Sequence, residues 1–185
     1  MLSKKQTYKQ MKTKETIAII GATGTTGSSI ARKLSAQDYS LILTSKEKGK
    51  LRSLKNSLSS GKTNVSLDLE DCAKDVCWEA DIIIMVVAYD AAKEVAEKIR
   101  EVATGKVVIN IADDDDPSDS VDRTGDLQKL LPDSKVMRVL ATVANVTSAS
   151  TIPTDADPFP SETQGNVPEQ VRELLASAGL APILG

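Results

Sequence analysis

The most informative absence from this sequence is histidine, which occurs nowhere among its 185 residues. Without histidine the chain has neither a Ser-His nor a Cys-His nucleophile pair. Cys72 and Cys77 are the only cysteines and no other zinc ligands accompany them, so neither a disulfide nor a metal centre is indicated. Any chemistry must therefore come from a cofactor or from Asp, Glu, Lys, Tyr, Ser and Thr side chains.

Aromatic residues, strong net charge and long apolar runs are also lacking. Aromatics make up 3% of the chain, which predicts an aliphatic core, and a net charge of -3 argues against general nucleic-acid binding. The longest apolar run, Ile82–Ala88, is far shorter than the ~20 residues that span a bilayer, and no secretory signal is recognisable. We expect a cytoplasmic protein, with residues 1–15 as a disordered basic tail and residues 16–185 as one domain.

The chain is organised around Thr16–Gly27, which reads T-I-A-I-I-G-A-T-G-T-T-G. Its apolar run predicts a buried strand, and Ser28–Leu34 predicts a helix. The main-chain N–H groups between them and the positive helix end predict a pyrophosphate site. Gly21 permits the tight turn, Gly24 leaves room for phosphates, and Gly27 lets the helix pack close to the strand. The alternative is a glycine-rich turn without a ligand, but the strand–turn–helix context favours nucleotide binding.

A second strand is predicted over Ser40–Thr44, and no acid stands at its end where NAD-binding folds place one against the ribose. The residues after it are mostly cationic: Lys46, Lys48, Lys50 and Arg52, against the single acid Glu47. Hydroxyls and cations suit a 2′-phosphate, so we favour Ser45 and Lys46 as ligands. The alternative is that the lysines form the solvated face of the next helix, whose buried side carries Leu51, Leu54 and Leu58.

The remaining pattern alternates strands and helices. Further strands are predicted at Val65–Leu67, Ile82–Ala88, Lys106–Ile111, Lys135–Ala141 and Leu180–Leu184. Further helices are predicted at Glu70–Trp78, after Ala88 as far as a stop at Gly105, at Val121–Leu131, and from a cap at Asn166 with Pro168 inside it. This order predicts an α/β protein with three α-β-α layers, a doubly wound, mainly parallel Rossmann sheet in the order 3-2-1-4-5-6, and a C-terminal edge strand.

In such a sheet the ligand lies outside the carboxyl ends of the strands. Val87, Ala88 and Tyr89 should therefore lie beside the cofactor, with Tyr89 either packing on the nicotinamide end or capping the strand. Tyr89 and Lys93 have the Tyr-x-x-x-Lys spacing of short-chain dehydrogenases, but they follow the glycine motif too early, so we take the match as chance. Asp113–Asp116 could hold a hard cation, although a solvated loop at the rim of the substrate opening is the preferred interpretation.

Taken together, these segments resemble the deazaflavin (coenzyme F-420)-dependent NADP reductases and their relatives, which include the cytosolic reductase domain of the STEAP metalloreductases. The matching stretches are I-A-I-I-G-A-T-G-T-T-G, L-T-S-K-E-K-G-K, A-D-I-I-I-M-V-V-A-Y-D-A-A-K-E-V, G-K-V-V-I-N-I, L-L-P-D-S-K-V-M-R-V-L-A-T and G-L-A-P-I. Members bind NADPH on a Rossmann domain and pass a hydride to a flavin-like acceptor without an acid–base side chain. The chain departs from the family pattern at Ala141-Thr142, where Asn-Thr is usual, and in its run of four aspartates.

The resemblance implies a set of contacts. The pyrophosphate would contact Thr23, Gly24, Thr25 and Thr26. The 2′-phosphate would be held by Ser45, Lys46 and Lys50. The path to the nicotinamide would pass Val87, Ala91 and Asp113 and end near Thr142 to Asn145. The complete predicted cofactor-binding set is Gly21, Thr23, Gly24, Thr25, Thr26, Gly27, Thr44, Ser45, Lys46, Lys50, Val87, Ala88, Tyr89, Ala91, Ala112, Asp113, Thr142 and Asn145.

The functional prediction is an oxidoreductase that binds NADP(H), with a flavin or deazaflavin as the co-substrate. Its partner would be a small-molecule electron acceptor rather than nucleic acid or membrane, and a homodimer stays open as its assembly. The alternatives are a non-catalytic NADP-sensing module like the NmrA regulators, whose sequences open with the same G-A-T-G-x-x-G motif, and a degenerate Rossmann scaffold.

Overall fold

The computed structural model describes residues 14–59, 65–67, 72–113, 123–141 and 169–182. The strands are β1 (Thr16–Ile20), β2 (Ser40–Thr44), β3 (Val65–Leu67), β4 (Ile82–Met85), β5 (Val107–Asp113), β6 (Lys135–Ala141) and β7 (Ala181–Pro182). The helices are α1 (Thr25–Ser35), α2 (Lys48–Leu58), α3 (Ala73–Glu79), α4 (Tyr89–Ile99), α5 (Arg123–Leu130) and α6 (Glu169–Ala178).

The strands form one sheet in the order β3-β2-β1-β4-β5-β6-β7. Strands β1 to β6 are parallel, and β7 pairs with β6 in the antiparallel direction. The predicted Rossmann topology, including the edge strand, is therefore confirmed. The order reverses between β1 and β4, so their carboxyl ends border the crevice in which such sheets bind ligands.

The core lies on both faces of the sheet, because alternate side chains of each strand point to opposite sides. Ile17 and Ile19 of β1 belong to a buried cluster that includes side chains of α1, α2 and α6. Ala18 and Ile20 belong to a second cluster that includes side chains of α3, α4 and α5. The sheet is thus covered by helices on both faces, which completes the three predicted layers.

Two ends of elements differ from the sequence prediction around the glycine turn. Strand β4 ends at Met85 rather than Ala88: the Val86 N–H makes a last bond to the Ile20 carbonyl oxygen (2.8 Å), and the Val86 carbonyl oxygen then lies against Gly21. Helix α1 begins at Thr25 rather than Ser28. The apolar run from Ile82 to Ala88 therefore predicted a longer strand than the structure has. The polar residues of the glycine motif gave no sign that the helix begins at Thr25.

Gly105 is not the stop of α4. That helix ends at Ile99, and Gly105 follows in a separate turn with a φ of 76°, where its N–H donates to the Asp133 carbonyl oxygen (2.7 Å). Gly179, with a φ of 72°, does end α6. The proposed cap at Asn166 and Pro168 lies outside the described residues.

The described structure begins two residues before β1. The Glu15 carbonyl oxygen accepts the Ser40 N–H (3.0 Å), and Lys14 pairs with Asp38 (2.8 Å). These two residues, which the sequence assigns to the tail, therefore lie against the start of β2. Among the described residues, no helix is both long and apolar enough to cross a membrane.

Candidate functional site

The turn after β1 is built by main-chain contacts to its two neighbouring strands. The N–H groups of Gly21 and Ala22 both donate to the Thr44 carbonyl oxygen at the end of β2, at 3.0 and 3.2 Å. Gly21 has a φ of 86°, and a Cβ there would overlap the Val86 carbonyl oxygen. Only glycine combines that backbone conformation with such a close approach. The turn is therefore held between the ends of β2 and β4.

The other two glycines of the motif serve different purposes. A Cβ on Gly27 would overlap the Gly21 carbonyl oxygen, so this glycine lets α1 pack on the turn itself rather than on the strand as expected. A Cβ on Gly24 would lie 3.7 Å from the same oxygen, which is ordinary contact. The protein's own packing thus leaves open space at the Gly24 Cβ position, next to the amino end of α1.

The amino end of α1 is suited to an anion. Its N-cap residue, Gly24, has no side chain to cap the helix, no acid lies in the first turn, and the last turn carries Arg32 and Lys33. The N–H groups and the helix dipole therefore present positive charge to a ligand. Thr25 is exposed and Thr26 is only 9% exposed, so a ligand above the turn would meet Gly24 and Thr25 first.

The tip of β2 is joined to the glycine turn through two hydroxyl groups. The Oγ1 of Thr23 and the Oγ of Ser45 lie 2.5 Å apart, and the Ser45 Oγ also accepts the Glu47 N–H (3.3 Å). Thr44 itself is buried and acts on the turn through its carbonyl oxygen. The structure thus brings Thr23 and Ser45 together, a contact that the sequence did not predict, and Thr44 supports the turn through its carbonyl oxygen.

The predicted cations lie just past this tip, and one of them has a partner that sequence reasoning missed. Lys46 and Lys50 are both exposed. Lys50 Nζ lies 2.6 Å from the Glu47 Oε2, in an ion pair across one helical turn at the start of α2. The i,i+3 spacing of Glu47 and Lys50 is the signal that could have revealed the pair.

The end of β4 approaches the turn from the other side. A Cβ at Gly21 would come within 2.9 Å of the Val87 Cγ1, so Val87 lies directly beside the glycine turn. Ala88 is exposed and is the N-cap residue of α4, and Ala91 is half-buried on its first turn. Val87 and Ala88 therefore stand at the crevice between β1 and β4, where the sequence places them.

Tyr89 connects α4 to α5. Its hydroxyl donates to the Asp126 Oδ2 (3.1 Å), its ring packs beside the core cluster of α4 and α5, and Lys93 Nζ lies 4.7 Å from the ring centroid. Hydrogen bonds from Lys129 and Tyr89 hold the pKa of Asp126 below its usual range. The Tyr-x-x-x-Lys pair thus makes a real contact, but the tyrosine hydroxyl is engaged by a carboxylate.

A buried amide in β5 is the second feature that sequence reasoning missed. Asn110 is 5% exposed, and its Oδ1 has no hydrogen-bond partner among the described residues. It lies opposite Met85, the last residue of β4, and by strand alternation it faces the same side as Val108, beneath α4 and α5. The sequence could have revealed it, because a single asparagine interrupts the apolar stretch V-V-I-N-I. Buried polar atoms normally have hydrogen-bond partners, so such a residue is a candidate for a special role.

The remaining predicted residues follow β5 and β6. Ala112 and Asp113 pair with Leu140 and Ala141 in the register of β5 and β6, so β5 extends two residues past its predicted end. Thr142, Asn145 and Asp114–Asp116 lie outside the described residues. Within the described part of the chain, no three His, Cys, Asp or Glu side chains are grouped as a metal site would need.

Cys77 does not have the environment of a nucleophile. Cys77 is buried in α3, and burial raises the pKa of its thiol to about 12, so the thiol stays protonated. Lys106 Nζ donates to the carbonyl oxygens of Cys77 (2.6 Å) and Trp78 (2.7 Å) at the end of that helix. These contacts stabilise α3 and lie away from the crevice.

Comparison with known families gives one match. The family described as NADP oxidoreductase coenzyme F420-dependent matches residues 16–114, which is more than half of the chain and includes the glycine turn, the β2 tip, β4 and β5. A comparison with curated proteins gives no match.

Solved structures share the fold at low identity. A hypothetical protein from Sinorhizobium meliloti is 23% identical with a TM-score of 0.61, over 91% of this chain and 83% of that one. An imine reductase from Streptomyces aurantiacus is 17% identical with a TM-score of 0.58, over 89% of this chain and 53% of that one. A lactate dehydrogenase from Eimeria maxima, solved with NADH and oxamate, is 15% identical with a TM-score of 0.53, over 70% of this chain and 44% of that one. The chain spans about half the length of these two enzymes or less, and the likeness shows the Rossmann fold.

Proposed function

Because the chain belongs to the family described as NADP oxidoreductase coenzyme F420-dependent, and is thus an NAD(P)-dependent oxidoreductase, we propose that it binds NADP(H) and transfers a hydride between the nicotinamide and a flavin-like or deazaflavin acceptor. The observation that carries the proposal is the turn of Gly21 to Gly27, where main-chain packing explains two glycines and leaves the third open to a ligand. A diphosphate on the amino end of α1 would account for that opening.

The adenosine end of the cofactor would lie toward β2. The hydroxyls of Thr23 and Ser45 join the turn to the strand tip and offer hydrogen bonds to phosphate oxygens. Lys46 and Lys50, both exposed at the start of α2, would contact the 2′-phosphate. Two hydroxyls and two cations at one strand tip favour the phosphorylated dinucleotide over NAD.

The nicotinamide end would lie toward β4 and β5. When bound, NADPH supplies the hydride, so the protein contributes orientation and the exclusion of water rather than an acid or base. Val87 and Ala88 would set the position of the cofactor beside the turn, and Ala91 would border its path. This division of labour agrees with a sequence that contains no histidine.

The test is a pair of titrations, with NADP and with NAD, on the native protein and on Lys46→Ala. A charge-assisted phosphate contact contributes about 1.5–3 kcal/mol, so the variant should lose about tenfold or more in affinity for NADP and little for NAD. The control is Lys98→Ala, which removes an exposed lysine from the far end of α4. Unchanged selectivity in Lys46→Ala would reject the 2′-phosphate assignment.

A second measurement separates catalysis from sensing. NADPH oxidation is followed with a free flavin, a ferric chelate and a deazaflavin as acceptors. Turnover with a flavin or deazaflavin supports the proposed reaction. Tight NADPH binding without turnover of any of the three would instead support the non-catalytic sensing module, and a protein that binds neither dinucleotide would be a Rossmann scaffold.

A further inference from the structure

We propose that Glu47 holds Lys50 in the place of the 2′-phosphate and thereby limits the preference of this chain for NADP over NAD. This inference rests on the proposed function and concerns the same site. Glu47 is the single acid among the cations after β2, and its Oε2 lies 2.6 Å from the Lys50 Nζ. In the protein alone, its carboxylate therefore occupies the partner position that a phosphate oxygen would take.

The local backbone keeps Glu47 at this point. Its N–H donates to the Ser45 Oγ (3.3 Å), and its carbonyl oxygen accepts the Leu51 N–H (3.0 Å) as the N-cap residue of α2. No side chain caps the helix, so the carboxylate lies near an uncapped, positive helix end. The main chain of Glu47 is thus fixed by hydrogen bonds, while its side chain forms the ion pair with Lys50.

The pair is weak enough to be exchanged. The side chains of Lys50 and Glu47 are 68% and 56% exposed, and an ion pair in such a setting is screened by water. A 2′-phosphate carries more charge and more acceptor oxygens than a carboxylate, so it competes successfully for Lys50. Binding of NADP would then leave Glu47 unpaired beside a dianion, whereas NAD leaves the pair intact. The free-energy cost of separating Glu47 from Lys50 therefore weakens the binding of NADP and not that of NAD.

The open space around the start of α2 permits this exchange. A Cβ on Gly49 would meet nothing within 4 Å, so the first turn of the helix offers room for a phosphate beside Lys50. The carboxylate of Glu47 can move away without displacing a packed side chain, because it is exposed on the same turn. Removal of its charge should therefore change affinity without a change in fold.

The experiment measures dissociation constants by isothermal titration calorimetry on the full chain. The ligands are NADP and NAD, with adenosine 2′,5′-bisphosphate and 5′-AMP as smaller probes. The variants are Glu47→Gln, Lys50→Met and the double substitution. We expect Glu47→Gln to bind NADP and the bisphosphate about threefold to fivefold more tightly, a range set by the strength of exposed ion pairs, and NAD within twofold of the native protein.

The double variant distinguishes competition for Lys50 from general electrostatics. If Glu47 acts by holding Lys50, the gain from Glu47→Gln should fall below about twofold in the Lys50→Met background. A full gain in that background would overturn the proposal, because the carboxylate would then act on the phosphate without Lys50. Circular dichroism confirms that each variant is folded.

Glu101→Gln is the matched control. Glu101 pairs with Lys74 at the same distance, 2.6 Å, on the surface after α4, away from the crevice. The Glu101→Gln variant loses the same charge and should leave the affinities for all four ligands unchanged. An equal gain in NADP affinity from this control would refute the role of Glu47. If the native protein bound NADP with preference and Glu47→Gln left that preference as it was, only this inference would fail. If the native protein bound neither dinucleotide, the proposed function would fail with it.

Discussion

The two halves of the crevice are built in different ways. The half proposed for the adenosine, formed by Gly21–Gly27 and Ser45–Lys50, contains a turn built by main-chain geometry: two glycines have Cβ positions that would overlap carbonyl oxygens, and the Thr44 carbonyl oxygen accepts two N–H groups. The half proposed for the acceptor, formed by Val86–Tyr89 with the buried Asn110 behind it beneath α4 and α5, depends on side chains: the Tyr89 hydroxyl donates to Asp126, and the Asn110 Oδ1 lacks a partner among the described residues. The glycine turn of the first half is specified by the backbone, whereas the proposed 2′-phosphate contacts and the second half depend on side chains.

This difference explains why the cofactor is easier to infer than the acceptor. Backbone N–H groups at a helix end donate hydrogen bonds to a diphosphate and do not depend on the identity of nearby side chains. Recognition of an electron acceptor depends instead on individual polar groups that converge on it. The family match covers residues 16–114, so it includes both halves of the crevice and does not by itself identify the acceptor. We therefore expect substitutions in the glycine turn to act through the backbone, and substitutions at the β2 tip and in the other half to act through single side-chain contacts.

Gly21→Ala should have the largest effect. The added Cβ would overlap the Val86 carbonyl oxygen at a backbone φ of 86°, so we expect a loss of about 3 kcal/mol or more in the free energy of unfolding, together with loss of nucleotide binding. Chemical denaturation measures it. Gly49→Ala, with open space at its Cβ inside a helix, should instead stabilise the protein by about 0.5–1 kcal/mol. A tolerated Gly21→Ala would break the claim that main-chain geometry builds this half.

Asn110→Leu should have an intermediate effect of the opposite sign. It replaces a buried acceptor without a partner among the described residues by an apolar side chain of similar size, so the free energy of unfolding should rise by about 1 kcal/mol. Affinity for adenosine 2′,5′-bisphosphate should stay the same, because that ligand occupies the other half. A destabilised variant would mean that the Asn110 amide has a hydrogen-bond partner in the folded protein. The two halves would then not differ in unpaired polar groups.

Tyr89→Phe should have the smallest effect. It removes the hydrogen bond to Asp126 but keeps the ring against α4 and α5, so Tm should fall by about 2 °C. The pKa of Asp126 is lowered in the folded state, so its contribution to stability is present above the ordinary carboxyl value of 3.8 and is lost as the pH falls through the lowered folded value. The variant should therefore lose less stability on acidification than the native protein. Identical acid titration curves would show that Tyr89 and Asp126 are not coupled.

Local features of the backbone could be predicted from the sequence, whereas contacts between distant side chains could not. The bounds of β2 and β6 agree with the sequence prediction, because each has an apolar centre flanked by polar residues. The role of Gly21 was also predictable, since it reflects a local backbone requirement, whereas Gly27 packs α1 on the turn rather than on the predicted strand. The ion pair of Lys50 and Glu47 could have been predicted from their i,i+3 spacing on a helix. The bond between Tyr89 and Asp126 joins residues that are 37 positions apart, and local patterns carry no information about such a contact.

The central claim is that a diphosphate rests on the main-chain N–H groups at the amino end of α1. It is tested most directly by following the backbone amide signals of the labelled protein by NMR during titration with NADP and with NAD. The account predicts that Gly24 and Thr25 shift strongly with both dinucleotides, that Lys46 and Lys50 shift more with NADP, and that Lys98 shifts with neither. Amides of Gly24 and Thr25 that stay unmoved at saturating NADP would contradict it.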